Sequence, residues 1–340
     1  MMTISQRVNS LVSLGKQLKD LTSAELSDIF EKAATDNPWF TKDNIKSSMA
    51  AIRDQYLNPL ALEALVDRYK VDDNIVSKKV GLILAGNIPM VGFHDILCCF
   101  VAGHISLIKY SDKDKILIPF LIKKLIDTDA DVAAYFVAAH KLTGFDAAIA
   151  TGSNSTATHF RYYFGHVPHI IRQNRNSIAV LSGHETDQQL LALGQDIFSY
   201  FGLGCRNVSK IFIPDGYNLD RLFEVLEAYK EVIHHHKYKN NYDYNVALFL
   251  LNKENFLHND MLILRASEQI ISRIGSVHYQ YYQIIDTLSE WIHAHESEIQ
   301  CVVTSMDIPG IERVDFGQAQ CPSLDTYADG VDTMQFLLGL

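Results

Sequence analysis

The spacing of apolar and polar positions changes once along the chain. Residues 1–75 read as helices. Thr22 and Glu25 form a T-x-x-E capping box ahead of LSDIFEKAA. Asn37-Pro38 breaks that helix, and Asn58-Pro59 breaks or kinks another. After residue 78, short apolar, β-rich runs alternate with helical stretches. VGLILAG (80–86) precedes a helix over about 90–102, and ISLIKY (105–110) precedes helices over about 113–127 and 130–140. DAAIATG (146–152) precedes a helix near 154–163, and IAVLSG (178–183) one over 186–200. SKIFIPD (209–215) leads into the helix LDRLFEVLEAYKEVI, and VALFLLN, VHYQYYQ and IQCVVTS complete the strands. Such alternation predicts an α/β fold with parallel sheets and helical crossovers. A break near 180–186 gives two α/β lobes: 1–180, with its helical first 75 residues, and 181–315. The segment 316–340 is a tail, irregular and then amphipathic, which packs on the first lobe or on another subunit.

Length agrees with this division, since 340 residues at ~150 per domain gives two domains. Thirty basic residues against 40 acidic ones give a net charge of −10, which argues against a nucleic-acid partner. An apolar share of 48% excludes disorder. No apolar run is long enough to span a bilayer, so integral membrane association is not expected. The first residues lack the basic-then-apolar layout of a secretory signal. Five cysteines without a CxxC pair suit a reducing compartment, hence the cytoplasm.

Four short stretches could carry chemistry. In FGLGCRN (201–207), Gly202-Leu203-Gly204 resembles the start of a dinucleotide fingerprint, but Asn207 stands where its third glycine belongs. The segment also follows a helix, whereas that fingerprint follows a strand. It reads better as a tight turn presenting Cys205, whose thiolate the neighbouring Arg206 would favour; a buried, inert cysteine is the other possibility. In LAGNIP (84–89) the Asn87 amide stands at the end of a strand, either facing a cleft or capping its own turn. In IKYSDKDK (108–115) a strand delivers Lys109, Ser111 and Asp112, a set that suits a ribose and a phosphate or a solvated polar loop. In ATGSNSTATHF (150–160), Thr151-Gly152-Ser153 opens a helix, where an anion or an ordinary cap would fit. His234-His235-His236 points in divergent directions on a helix, so no metal site is expected there or elsewhere.

The order of these signals resembles the aldehyde dehydrogenase superfamily. Within it, LAGNIPMVGFHDILCCFVAGH, IKYSDKDK, IATGSNSTATHFRYYF, RQNRNSIAVLSG, YFGLGCRNVSKIFIP and YADGVDTMQFL are most similar to LuxC-type long-chain acyl-CoA reductases. The resemblance implies an aldehyde dehydrogenase-like fold, with two Rossmann-like α/β lobes, an active-site cleft between them and a helical N-terminal segment. It makes 1–180 the nicotinamide-cofactor-binding domain and 181–315 the catalytic domain. Cys205 becomes the nucleophile and Asn87 the oxyanion donor. Lys109, Ser111 and Asp112 would lie near the adenosine ribose, and Thr151, Gly152 and Ser153 at the pyrophosphate.

Aldehyde-oxidising members carry a glutamate in an E-L-G-G-K segment that activates water. Arg172, 33 positions before Cys205, stands near that place and cannot act as a base at neutral pH. The implied activity is therefore reduction of a fatty acyl-CoA, or of an acyl carrier protein thioester, to the aldehyde through an S-acyl cysteine. The family implies NADP(H), to which Lys109, Lys113 and Lys115 would contribute; Asp112 suits the free ribose of NAD(H). The alternatives are a reductase of another activated acyl group, such as an acyl phosphate, or a non-reducing acyl-binding or transfer protein. The resemblance also implies a homo-oligomer and an acyl synthetase partner.

Overall fold

The computed structural model describes residues 2–340. They form two compact units, the first made of the chain up to Asn174 together with Pro322–Leu340, the second of Arg175–Cys321. The first begins with α1 (Ile4–Asp20), α2 (Ser23–Asp36), α3 (Lys42–Ala51), a π turn (Ile52–Tyr56) and α4 (Pro59–Tyr69). Thr22 Oγ1 accepts from Glu25 N–H at 3.3 Å while Glu25 accepts from Thr22 N–H at 3.1 Å, so the capping box that starts α2 is formed. Asn58 caps α4 with Pro59 in its first turn, where a missing N–H costs nothing.

The sheet of this unit comes from β1 (Lys79–Ile83), α5 (Phe93–Ala102), β2 (Ile105–Lys109), α6 (Leu117–Ile126), β3 (Phe136–Ala138), β4 (Ala147–Thr151), α7 (Asn154–Phe164) and β5 (His169–Arg172). All five strands are parallel, in the order β3-β2-β1-β4-β5. Val80, Leu82, Ile108 and Ala148 are fully buried, as expected of a parallel sheet covered on both faces. β1 connects outward to β2 on one side and β4 to β5 on the other. The carboxyl ends of β1 and β4 therefore flank the switch point, the place where ligands bind in open sheets of this kind.

The second unit contains β6 (Asn176–Val180), α8 (Asp187–Phe198), β7 (Val208–Pro214), α9 (Leu219–Leu226), α10 (His236–Leu251), β8 (Leu257–Asn259), β9 (Leu262–Ala266), β10 (Ser276–Tyr282), α11 (Ile285–Ala294), β11 (Ile299–Val303) and β12 (Arg313–Val314). Its sheet runs β12-β11-β6-β7-β10-β9-β8, parallel except for β8. The tail returns to the first unit and ends in α12 (Thr333–Leu338). His94 Nε2 lies 2.8 Å from Leu324 O, His104 Nε2 2.8 Å from Leu337 O, and Tyr69 donates to Asp332 at 2.6 Å.

Several expectations need correction. The first boundary falls after Asn174 and not after 180, because β6 pairs with β7 and β11 in the second sheet. The second falls after Cys321 and not after 315, and the tail is part of the first unit. VALFLLN is not a strand but the end of α10. Tyr238, Tyr242, Asn245 and Phe249 are buried at helical spacing, so the apolar run continues one face of a long helix. The helix expected over 130–140 is a 3-10 turn (Ala130–Tyr135) followed by β3. β5, β8, β9 and β12 are absent from the sequence reading; all but β9 have four residues or fewer. Among the described residues no helix is long and apolar enough to cross a membrane.

Candidate active site

In the first unit, three of the four stretches converge on the carboxyl ends of neighbouring strands. Lys109 is the last residue of β2 and pairs with Ile83 at the end of β1. Two adjoining clefts, each of about 430 Å³, lie at these ends and share Ile83, Lys109 and His140. The first is also lined by Ser111, Asp112 and Lys115, the second by aromatic residues of α7 such as Phe160 and Tyr163. Asp112 is fully exposed and lies 3.8 Å from Lys115. Thr151 ends β4 and Ser153 is the N-cap of α7, its hydroxyl accepting from Thr156 N–H at 3.3 Å. A Cβ on Gly152 would lie 2.9 Å from Phe160 and 3.1 Å from Thr156, so the backbone there follows the helix closely. Two further residues were not foreseen at this end: His140, from beyond β3, and Lys141 beside it.

Asn87 is half-buried in the loop from β1 to α5. That loop is anchored on both sides. Ser48 Oγ donates to Pro89 O at 2.7 Å, and Met90 N–H donates to Asp114 Oδ2 at 2.8 Å. Met90 takes a left-handed backbone (φ 57°) while its side chain is buried. Gly86 touches the next loop: a Cβ there would lie 2.5 Å from Ser111 Oγ. Burial pushes the Asp114 carboxyl up to about 6, against hydrogen bonds from Met90, Leu117 and Ile118.

The fourth stretch lies in the second unit, ahead of β7. Tyr200 (φ 52°), Phe201 (59°) and Gly202 (75°) are three successive left-handed residues. Asn207 holds the turn that follows. Its Oδ1 accepts from Gly204 N–H at 2.8 Å, and its Nδ2 donates to the carbonyls of Asp196 (2.9 Å), Ile197 (3.3 Å) and Ser199 (2.8 Å). The residue that spoils the dinucleotide fingerprint is the one that builds the turn. Ser177 Oγ donates to Cys205 O at 3.1 Å and lies 3.0 Å from Cys301 Sγ. The Cys205 side chain is half-buried, so the fully buried alternative does not hold. Arg206 Nε donates to Ala319 O at 2.5 Å, and both Asp196 oxygens accept backbone N–H groups, from Gly317 and Ala319. Burial raises the Asp196 carboxyl to about 6.

The other four cysteines are held as thiols by burial. Cys99 is pushed up to about 12 and Cys98 well above its ordinary range. Cys301 and Cys321 are raised by burial too, with Arg206 working against the rise at both. Arg172 ends β5 and is buried, its guanidinium 2.5 Å from Asp95 and donating to Thr333 at 2.8 Å. Burial opposes its charge, but Asp95 outweighs that and raises its pKa. Its charge joins β5, α5 and the tail. Among the described residues no group of three or more His, Cys, Asp or Glu side chains is placed to hold a metal ion.

Compared by sequence, the chain matches no protein-family model and no curated protein. Compared by structure, it is similar to aldehyde dehydrogenase 21 from Physcomitrella patens, solved with its reaction product succinate (TM-score 0.71, 10% identity). That match covers 100% of this chain and 84% of the moss protein. It is similar also to the aldehyde dehydrogenase of Bacillus cereus in its NAD+ complex (TM-score 0.69, 11% identity, 99% of this chain and 83% of that one). Substrate-bound AldH of Staphylococcus aureus matches at TM-score 0.60 and 16% identity, over 94% and 82% of the two chains. The chain has the aldehyde dehydrogenase fold. Within this fold, Asn87, Lys109, Ser111, Asp112, Thr151, Gly152 and Ser153 belong to the first unit and Cys205 to the second.

Proposed function

We propose that the protein reduces a fatty acyl thioester, carried by coenzyme A or an acyl carrier protein, to the aldehyde, with NADPH as reductant and Cys205 holding the acyl group. The observation that carries this reading is the convergence of Lys109, Ser111 and the Thr151-Gly152-Ser153 turn at the switch point of one parallel sheet. Their ammonium, hydroxyls and helix N-terminus are donors suited to a dinucleotide, and the adjoining clefts have room for its adenosine half. The cationic groups Lys109, Lys115 and Lys141 favour the extra phosphate of NADPH over NADH, although Asp112 favours a free ribose. When bound, the reduced nicotinamide supplies the hydride.

The chain's own residues do the rest. The Cys205 thiolate attacks the thioester carbonyl, the carbon–sulfur bond to the carrier breaks, and the carrier leaves as its thiol after taking a proton. In this reading the Asn87 amide and the Cys205 N–H donate to the oxyanion. After reduction, Cys205 leaves the hemithioacetal carbon as thiolate and the aldehyde is released. Arg172, spent on Asp95, supplies no base for hydrolysis. The remaining parts of the proposal are a cytoplasmic homo-oligomer and an acyl synthetase that supplies the activated chain.

The test is incubation with radiolabelled acyl-CoAs of graded length, with acyl phosphate as comparison, followed by NADPH or NADH. Cys205→Ala should abolish protein labelling. Asn87→Ala should lower acylation by roughly 100-fold or more, the ~2.7–4 kcal/mol that one oxyanion donor is worth. Labelling that survives Cys205→Ala unchanged overturns the mechanism. Labelling without aldehyde release would leave an acyl-transfer protein.

A further inference from the structure

We infer that Asp114 is a positioning residue: its carboxylate joins the β1–α5 loop that carries Asn87 to the β2–α6 loop that carries Lys109, Ser111 and Asp112. It thereby sets the register between the oxyanion side and the cofactor side of the site, an inference that rests on the proposed function.

The two oxygens of Asp114 serve different segments. Oδ2 accepts from Met90 N–H at 2.8 Å, three residues beyond Asn87, and Oδ1 accepts from Leu117 N–H at 3.1 Å at the start of α6. The Asp114 N–H in turn donates to Ser111 O at 3.1 Å, so the carboxylate is continuous with the polar loop. Asn37 fixes that loop from the other side, donating to Lys113 O at 3.1 Å. The loops also touch at Gly86 and Ser111, where there is no room for a Cβ. Any shift of one loop therefore moves the other.

The chemistry requires an acid and not its amide. Both contacts are accepted N–H groups, and a carboxylate accepts at both oxygens. Asparagine has one acceptor; its NH₂ would face a second N–H. Asp114 is only 3% exposed, and burial pushes its carboxyl up to about 6, with Asp36 of α2 adding to the rise. A side chain this costly to keep charged holds the left-handed Met90 in place, and no cation shares the task among its named partners.

The test compares wild type with Asp114→Asn, which keeps size and shape. Hydrogen–deuterium exchange over residues 88–93 should speed up at least tenfold in a chain that still unfolds cooperatively. Acylation of Cys205 should fall at least tenfold in rate. In an Asn87→Ala background the same change should cost less than threefold, because the donor it positions is already gone. Unchanged exchange overturns the inference, and so does faster exchange with undiminished or fully additive acylation rates. A wild type that takes no acyl group defeats the proposed function alone, and exchange then decides on Asp114. If Asp114→Asn does not fold, Asp114→Ser, smaller and still able to accept one bond, is read in the same way.

Discussion

The loop carrying Asn87 and the turn carrying Cys205 solve one problem with different chemistry. Both contain left-handed residues that are not glycine, Met90 in one and Tyr200 and Phe201 in the other. Each such residue costs ~1–2 kcal/mol, so something must hold it. In the first unit the clamp is a carboxylate that receives N–H groups from two segments. In the second it is the neutral amide of Asn207, which accepts once and donates to three carbonyls. An amide suits a place where acceptors crowd, at the end of α8, and a carboxylate suits one where donors crowd, at the start of α6. The two loops also stand at opposite strand ends, Asn87 after β1 and Cys205 before β7.

The sharpest way to break this comparison is to exchange the chemistry at position 207. Asn207→Asp turns a donor toward three carbonyl oxygens into a buried acceptor, and Asn207 is 1% exposed. Chemical denaturation should show a loss of about 3 kcal/mol or more. A loss below 1 kcal/mol would mean that Ser177, and not Asn207, holds the turn.

Titration gives the next effect. Asp114 and Asp196 ionise at about 6 in the folded chain, against an ordinary 3.8. Between those values the folded state binds more protons than the unfolded one, so stability falls as pH rises through this window. Each group should remove on the order of 3 kcal/mol, and Asp114→Asn should abolish about half of the fall. Urea unfolding from pH 3.5 to 7 checks both. An Asp114→Asn profile parallel to that of the wild type would show that Asp114 is not desolvated.

Gly86→Ala probes the contact between the two loops of the first unit. The new methyl group would meet Ser111 at 2.5–2.7 Å. Overpacking of this kind costs ~1–3 kcal/mol. Ser111→Gly in the same chain should restore most of it, since the clash is with that side chain. Failure of that rescue would place the strain elsewhere.

The smallest effect on stability comes with the clearest site label. Brief treatment with iodoacetamide should modify Cys205 before the other four cysteines, which burial keeps as thiols. Mass mapping reads the order; first modification of Cys301 or Cys321 would detach Cys205 from its role.

The places of the candidate residues along the fold were legible before the structure. Strand ends announce themselves, because an apolar run must stop where polar residues begin; hence Lys109 and Thr151-Gly152-Ser153 could be placed at the ends of β2 and β4, and Asn87 after β1. What supports them was not legible. Asp112 and Asp114 stand two positions apart in IKYSDKDK, yet one is fully exposed and the other nearly buried. Asn207 counted only as a departure from a glycine pattern. His140 is hidden because the apolar run before it reads as a helix over 130–140, which masks the three residues of β3. The misread end of α10 has a similar cause: a short apolar run has no periodicity of its own, and only its continuity with Tyr238 and Tyr242 shows the helix.

Local order along the chain therefore determined the class of fold, the strand–helix alternation and the places where chemistry could stand. These follow from side-chain spacing and backbone freedom, which act over a few residues. The tertiary structure decided the strand order that gathers Lys109 and Thr151 at one sheet end, the buried pairing of Arg172 with Asp95, and the burial that separates Asp114 from Asp112. Those depend on which distant segments meet. Desolvation and hydrogen-bond partners exist only once they do.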